Sequence, residues 1–412
     1  MLHHRDPYRW VMLGALWLVY FSFGIAVFGM TPLVNVIRED LDLSKGAMGT
    51  ILGAWPLVFL VAAMPAGALV DRLGLRRSPG GATLIISPAP PLIVPASALL
   101  RPIVTNFIGM FGSVALFGLG GPLVSVGAPK LISVWFDEEE RALAMGITMS
   151  APAIGGVLPL VTANSLLMPA FDQSWRATLM VYALITVAII AVWLVAASAG
   201  EKLAPGVDRD ANPDHGFSGA RGLLRHRAVQ LMLIVALGMF FFNHALNGWL
   251  PTVIEDRGFS SSAAGYLAGA VTALSIVGAL LGPRLIPESS RIAVMAGVYA
   301  VFAAASILLF LDIKAATLAG LAIIGISRGL AVPIALVVMM QLPGVAQRNM
   351  GAAGGLFFTV GEAGGVTGPI LFGVLADIGG FGAGLVLLTG VAGLTGILTL
   401  GLRSAMARVR VP

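Results

Sequence analysis

The stretch GEKLAPGVDRDANPDHGFSGARGLLRHR, residues 200–227, is the longest polar segment of a chain dominated by apolar runs. Its proline, glycine and charge content is typical of a linker. On each side lie six runs of about 20 or more apolar residues, the length that an α-helix needs to cross a bilayer. The segment therefore predicts a six-helix N-terminal bundle over 1–199, a cytoplasmic linker over 200–227, and a six-helix C-terminal bundle over 228–412.

The composition excludes a water-soluble protein. Of the 412 residues, 58% are hydrophobic and 11% are charged, whereas soluble domains carry about 25% charged residues. So little charge could not cover the surface of a soluble fold. Cysteine is absent, which excludes disulfides and cysteine metal sites, and the five histidines show no metal-ligand spacing. We therefore predict an all-α integral membrane protein that binds no metal and no cofactor.

Twelve transmembrane helices are predicted from the apolar runs. The first run is too long for a signal-peptide core and lacks a cleavage site, so we expect it to be retained as a span. The twelve spans are 10–34, 46–68, 80–100, 104–134, 142–168, 175–199, 228–250, 263–285, 292–311, 315–341, 350–373 and 380–402.

Lysine and arginine orient these spans. With the N-terminus inside, 18 of the 25 basic residues fall in inner tails and loops and six in outer loops. This bias obeys the positive-inside rule and places both termini in the cytoplasm of a cell with a bacterial-type inner membrane. It also accounts for the net charge of +5 without nucleic-acid binding.

The two halves repeat each other. PLVNVIREDLDLSKGAMG (32–49) parallels LPTVIEDRGFSSSAAG (250–265), and AGALVDRLGLRR (66–77) occupies the place that VGALLGPRLIPESSR (277–291) has in the second half. Such internal symmetry is typical of transporters, whose substrate site lies between the repeats.

One predicted span is unusual. SPGGATLIISPAPPLIVPAS (78–97) carries five prolines, and interior prolines remove helix hydrogen bonds. We expect a kinked or partly unwound third helix.

The loop between spans 2 and 3 reads GALVDRLGLRR (67–77) and resembles the G-x-x-x-D-R-x-G-R-R/K signature of the major facilitator superfamily. The resemblance implies alternating access by two helical bundles around a central cavity, and it assigns this loop to gating rather than to substrate binding. The matching positions are Gly67, Asp71, Arg72, Gly74, Arg76 and Arg77.

Two further stretches narrow the resemblance. NGWLPTVIEDRGFSSSAAG (247–265) and SVWFDEEERALAMGI (133–147) are similar to segments of the cyanate-permease and nitroimidazole-transporter group, which implies a small-anion substrate. A proton-coupled drug or nitroimidazole-type exporter is the alternative. Span 4 lacks the arginine that many proton-coupled members carry, and span 5 has Ala151 in place of the first glycine of the antiporter signature.

Arg328, in GISRGLAV (325–332), is the one basic residue that this loop topology does not explain, and Glu362 is the one acidic residue well inside a span. Both lie near the same membrane depth, where a charge costs at least ~2.5–3.5 kcal/mol. Three alternatives remain open. The two residues form a buried structural ion pair, Arg328 binds a substrate anion, or Glu362 is the protonation site of a proton-coupled cycle.

The stretch FFFNHALNGWL (240–250) adds polar side chains to span 7. Asn243 and Asn247 are four residues apart and share a helix face. Three roles remain open for His244: it binds substrate, it titrates near neutral pH, or it forms a hydrogen bond with a neighbouring helix. Tyr20 of span 1 is a further candidate for substrate binding.

No phosphate loop and no catalytic arrangement of side chains is found, so neither an ATP-driven pump nor an enzyme is predicted. We expect a monomeric secondary transporter in the lipid bilayer that moves a small organic or inorganic anion by proton symport or anion exchange.

Overall fold

The computed structural model describes residues 7–62, 89–201, 221–345 and 350–407, and these residues form helices and connecting turns. The long helices are α1 Tyr8–Phe28, α2 Lys45–Ala62, α3 Ala89–Leu100, α4 Phe107–Trp135, α5 Glu138–Thr162, α6 Trp175–Glu201, α7 Arg227–Asp256, α8 Ser261–Leu285, α9 Arg291–Phe310, α10 Lys314–Met340, α11 at 350–378 and α12 at 381–407. A short helix, Val34–Asp40, follows α1.

Each predicted span overlaps one of these helices, and 63–68 of the second span and 80–88 of the third lie outside the described residues. Among the described residues, nine helical segments are long and apolar enough to cross a membrane. The last of them holds both α11 and α12, which are separated by non-helical backbone at Gly379 and Gly380. Gly380 has a φ of +69°, which glycine adopts without steric cost. The predicted all-α membrane fold with two sets of helices is confirmed.

Part of the proline-rich stretch can be compared with its prediction. Ala89–Leu100 is helical, and Pro90 and Pro91 fall in its first turn, where a missing N–H is tolerated. Residues 63–88, which include the proposed gating loop and the start of the proline-rich stretch, lie outside the described residues, as does 202–220 of the linker.

The helices form two compact units. One unit draws on Met1–Leu33 and Val61–Asn212, and the other on Val34–Leu60 and Pro213–Pro412. α2, which the sequence repeat counts with the first half, therefore packs with the helices of the second half.

Small residues set the packing inside the first unit. A Cβ at Gly24 of α1 would overlap the carbonyl oxygen of Pro152, and one at Gly155 of α5 would overlap that of Phe21. These glycines let the two backbones approach closely.

Arg101, which is 4% exposed, donates from Nη1 to the carbonyl oxygen of Ala26 near the end of α1. It thus places a cation at a helix C-terminus, where the helix dipole favours positive charge.

Glycines also set the packing of α11 in the second unit. A Cβ at Gly364 would overlap the carbonyl oxygen of Leu237, and one at Gly368 would overlap that of Phe241, both on α7. At its C-terminal end α11 meets α2, because the carboxylate of Asp377 accepts hydrogen bonds from the backbone N–H groups of Lys45 and Gly46, at 2.9 and 2.7 Å. A carboxylate at a helix N-terminus satisfies two of its free donors and complements the dipole.

Candidate functional site

Arg328 lies in the middle of α10 and is directed at α7. Its Nε donates to Oδ1 of Asn243 at 2.9 Å, and its Nη2 donates to Oδ1 of Asn247. The two asparagines are four residues apart on one face of α7, and Nδ2 of Asn247 donates to Oδ1 of Asn243 at 3.2 Å. Two neutral amides of one helix therefore fix the orientation of a guanidinium from another.

The donor and acceptor groups of this cluster are unequally used. Arginine only donates, so both amide oxygens must face it. Two nitrogen atoms of the cluster, Nη1 of Arg328 and Nδ2 of Asn243, donate no hydrogen bond to any described residue. Both groups are donors, and one of them carries positive charge. The three side chains are partly exposed rather than buried, and the N–H groups that remain suit a ligand that accepts hydrogen bonds.

Arg328 has no carboxylate partner within the described part of the chain. The ion pairs found there do not include it, and Glu362 pairs with His244 instead. The buried Arg328–Glu362 pair, one of the three alternatives from the sequence, is therefore not formed. The physical reason is rotation about the helix axes: Arg328 is turned towards the amides of α7, so equal depth on successive helices does not bring the two charges together.

Glu362 and His244 form a second polar cluster. Nε2 of His244 lies 3.5 Å from Oε2 of Glu362, and the two side chains are 14% and 7% exposed. The Nδ1 atom of the ring lies 3.0 Å from the carbonyl oxygen of Phe240. Oε2 of Glu362 has no hydrogen-bond partner among the described residues.

Aromatic side chains enclose the imidazole. Its ring centroid is 5.7 Å from that of Phe240, with nearly parallel planes at 17°, and 5.3 Å from that of Trp55, at 37°. Gly365 closes a further side, because a Cβ there would lie 2.8 Å from Oε2 of Glu362 and 3.1 Å from Nδ1 of His244. A methyl group at this position would displace the end of the Glu362 side chain or the imidazole.

The remaining predicted residues are Tyr20 and the six of the gating loop. Tyr20 belongs to the first compact unit, where it is 5% exposed and stacks on Phe23 with a centroid distance of 5.6 Å. The predicted gating residues Gly67, Asp71, Arg72, Gly74, Arg76 and Arg77 lie outside the described residues. Arg328, Asn243, Asn247, His244 and Glu362 all belong to the second unit.

Sequence reasoning does not single out Trp55 and Gly365. A tryptophan in an apolar span is typical of packing, and a glycine gains meaning only when its neighbours are known. Two features of the sequence could have pointed to them: Trp55 is the only tryptophan of α2, and Gly365 lies three residues after Glu362. Within the described residues no group of three or more His, Asp or Glu side chains could hold a metal ion.

Comparisons with known proteins agree with this fold. The chain is 25% identical to the hexuronate transporter of Bacillus subtilis (strain 168) over 376 residues, which is 86% of this chain and 85% of that protein. It is 24% identical to the gentisate transporter of Corynebacterium glutamicum over 60% of this chain and 54% of that protein.

Among solved structures, a bacterial homologue of the human lysosomal transporter Spinster is similar, with a TM-score of 0.78, 16% identity and coverage of 99% of both chains. This likeness concerns the fold. The family model described as Major Facilitator Superfamily matches residues 16–369, most of the sequence. The chain therefore belongs to the major facilitator superfamily, and it is a multi-pass membrane transporter of small molecules rather than an enzyme.

Proposed function

We propose that the protein transports a small organic anion and that Arg328 binds the carboxylate of this substrate. The observation that carries the proposal is the donor-only character of the Arg328, Asn243 and Asn247 cluster. Its amide oxygens are occupied by the guanidinium, and the groups that remain are N–H donors. A carboxylate accepts hydrogen bonds and carries the opposite charge, and arginine binds it through parallel hydrogen bonds. A cation would be repelled by the positive charge of Arg328.

The relatives support the same class of substrate. Hexuronate and gentisate, for which two of them are named, are both carboxylate anions. The finer resemblance to the cyanate-permease and nitroimidazole-transporter group rests on residues 133–147 and 247–265 and also favours a small anion.

We propose that the protein lies in an inner membrane with both termini in the cytoplasm, because this orientation obeys the positive-inside rule. We further propose that it acts as a monomer by alternating access, with residues 67–77 as the gating loop.

Glu362 is our candidate for proton coupling. A buried ionisable residue inside a span is a functional-site hypothesis by default, and this carboxylate is free of Arg328. Glutamine has nearly the same shape as glutamate but carries no charge, so a substitution to glutamine tests whether proton coupling is lost while substrate transport remains. We expect Glu362→Gln to retain exchange of substrate across the membrane but to lose accumulation driven by a pH gradient. Unchanged accumulation in this variant would exclude Glu362 from coupling and favour pure anion exchange.

The second candidate function is export of a cationic drug with protons. The observation that favours it is Glu362 itself, because a carboxylate that is not neutralised by arginine can serve as the counter-ion of a cation. Transport assays separate the two. An anion transporter accumulates or exchanges a carboxylate and is insensitive to an organic cation, whereas an exporter responds to the cation.

The decisive test is substitution of Arg328 in protein reconstituted into liposomes, with radiolabelled glucuronate and gentisate as probes. A hydrogen bond to a charged group contributes about 1.5–3 kcal/mol, so Arg328→Ala should lower uptake at least about tenfold. Arg328→Lys should retain little activity, because lysine lacks the planar donor array. Arg403→Ala, which removes an exposed arginine of α12, is the matched control. Normal uptake of either probe by Arg328→Ala would refute the proposed role.

A further inference from the structure

We propose that His244 and Glu362 act as one proton-binding unit, in which a single proton lies between Nε2 of the imidazole and Oε2 of the carboxyl group. The two atoms are 3.5 Å apart in a largely buried environment. The existence of this unit stands on the geometry of these two residues. Only its consequence for transport, drawn below, rests on the proposed function.

The carbonyl oxygen of Phe240 decides which ring nitrogen carries the hydrogen. It lies 3.0 Å from Nδ1 of His244, and because a carbonyl oxygen can only accept, Nδ1 must be the donor. In a neutral imidazole the other nitrogen, Nε2, is then an acceptor. The lone pair of Nε2 therefore faces the carboxyl group of Glu362.

An ionised Glu362 beside a neutral His244 would place two acceptors face to face. Oε2 is buried and accepts no hydrogen bond from any described residue, including His244, and a buried charge without a partner is costly. One proton between the atoms removes this conflict. It either makes the carboxylic acid donate to Nε2 or makes the imidazolium donate to the carboxylate, and in both forms the pair has no net charge.

A second proton is opposed by the surroundings. The positive charge of Arg328 acts on His244, and it would repel a pair of net charge +1. Among the described residues, the ring neighbours of the imidazole are Trp55 of α2 and Phe240 of α7, and both are uncharged. One proton is therefore the stable occupancy of the unit.

This occupancy sets the charge that a substrate meets. With one proton the His244–Glu362 unit is neutral, and Arg328 supplies a single positive charge that a monovalent anion neutralises. Loss of the proton adds a negative charge, which competes with the anion for the field of Arg328. By linkage, anion binding and proton retention strengthen each other. Given the proposed function, one proton accompanies each monovalent anion, and the transport step moves no net charge.

The unit is tested without any substrate by infrared difference spectroscopy of the purified protein between alkaline and acidic pH. We expect one buried carboxyl signal that Glu362→Gln abolishes. His244→Asn removes the acceptor, so it should change the frequency of that signal and its proton affinity at least about tenfold, as expected for a hydrogen bond to a charged group. Identical spectra and titrations of His244→Asn and the parent protein would overturn the proposal.

A second variant leaves both residues in place. Gly365→Ala puts a methyl group against Oε2 of Glu362 and the ring of His244, so it should shift the same signal. Gly354→Ala, on the same helix with no atom within 4 Å of its added Cβ, is the matched control and should leave the spectrum unchanged. A signal that responds to neither His244→Asn nor Gly365→Ala belongs to an isolated carboxyl group and refutes the shared proton.

The transport consequence is tested in liposomes with glucuronate and gentisate under an imposed membrane potential at equal pH. Each net charge moved would change accumulation about fiftyfold per 100 mV. We expect no such dependence, and a pH gradient alone should drive accumulation. Potential-driven accumulation would overturn the one-proton occupancy. If neither probe is transported, the proposed function loses its support, while the infrared result still decides whether the proton is shared.

Discussion

At the scale of single residues, the choice of partner for Arg328 is the informative feature. A carboxylate would hold the guanidinium equally well but would cancel its charge. Asn243 and Asn247 hold it with neutral oxygens, so the orientation is fixed while the positive charge remains available to a ligand. This combination has a cost, because a charge without a counter-ion is expensive at membrane depth. A bound anion offsets that cost.

This interpretation predicts the effect of restoring a carboxylate. Asn243→Asp or Asn247→Asp keeps the acceptor for Arg328 and adds the missing negative charge, so folding should be preserved while anion affinity falls. We expect a loss of at least about tenfold, because a hydrogen-bonded charge pair contributes about 1.5–3 kcal/mol. Binding of glucuronate or gentisate by isothermal calorimetry measures it.

The control for this substitution is Asn106→Asp. Asn106 is exposed and caps α4 by accepting a hydrogen bond from the backbone N–H of Gly109, a role that aspartate fills equally well. It introduces the same charge away from the cluster. Equal affinity losses in Asn106→Asp and Asn247→Asp would show that net charge, and not the environment of Arg328, governs binding.

At the scale of elements, the glycines of α11 decide which side chains can meet. Gly361, Gly364 and Gly368 lie along one face, and the added Cβ of each would collide with α7. The close approach of α11 to α7 brings Glu362 next to His244. Arg328 contacts Asn243 and Asn247 instead. The sequence predicted the helices, and it predicted that Asn243 and Asn247 share a face. It could not predict the pairing of charges, because apolar runs report the depth of a residue in the membrane but not the rotation of its helix.

A pair of glycine substitutions on α11 tests this packing. Gly364→Ala forces a methyl group onto the carbonyl oxygen of Leu237, and overpacking of this kind costs about 1–3 kcal/mol. Gly354→Ala meets no neighbour within 4 Å and gains the better helix propensity of alanine. Thermal unfolding in detergent should therefore give a lower midpoint for Gly364→Ala and an equal or higher one for Gly354→Ala. The opposite order would contradict the observed contact of α7 with α11.

At the scale of the whole molecule, sequence halves and structural units differ in one segment. The repeat of 32–49 in 250–265 assigns α2 to the first half, yet Val34–Leu60 groups with Pro213–Pro412. Hydropathy and repeats describe how the chain is divided along its length. Packing of α2 depends on Gly49 and Gly53, which lie against Pro369 and Val366 of α11, and a contact over such a distance leaves no trace in local sequence patterns.

Co-expression of two fragments, 1–201 and 221–412, tests this arrangement. Because α2 contributes contacts to the helices of the second fragment, we expect the fragments to co-purify from detergent extracts. Gly49→Leu places a branched side chain against the backbone of Pro369 and should reduce the recovered complex, whereas Gly14→Leu, whose added Cβ meets no neighbour, should not. Equal recovery of the two variants would argue against the α2–α11 contact.

The contact of α2 with α11 also has a consequence for biosynthesis. About 320 residues of chain separate Gly49 from Pro369, and ribosomes add about 5–20 residues per second. The glycine face of α2 thus enters the bilayer about 15–60 s before its partner has been translated. During that interval lipid or an insertion chaperone must cover the face, so the nascent chain is most open to misassembly at a surface that the finished protein buries.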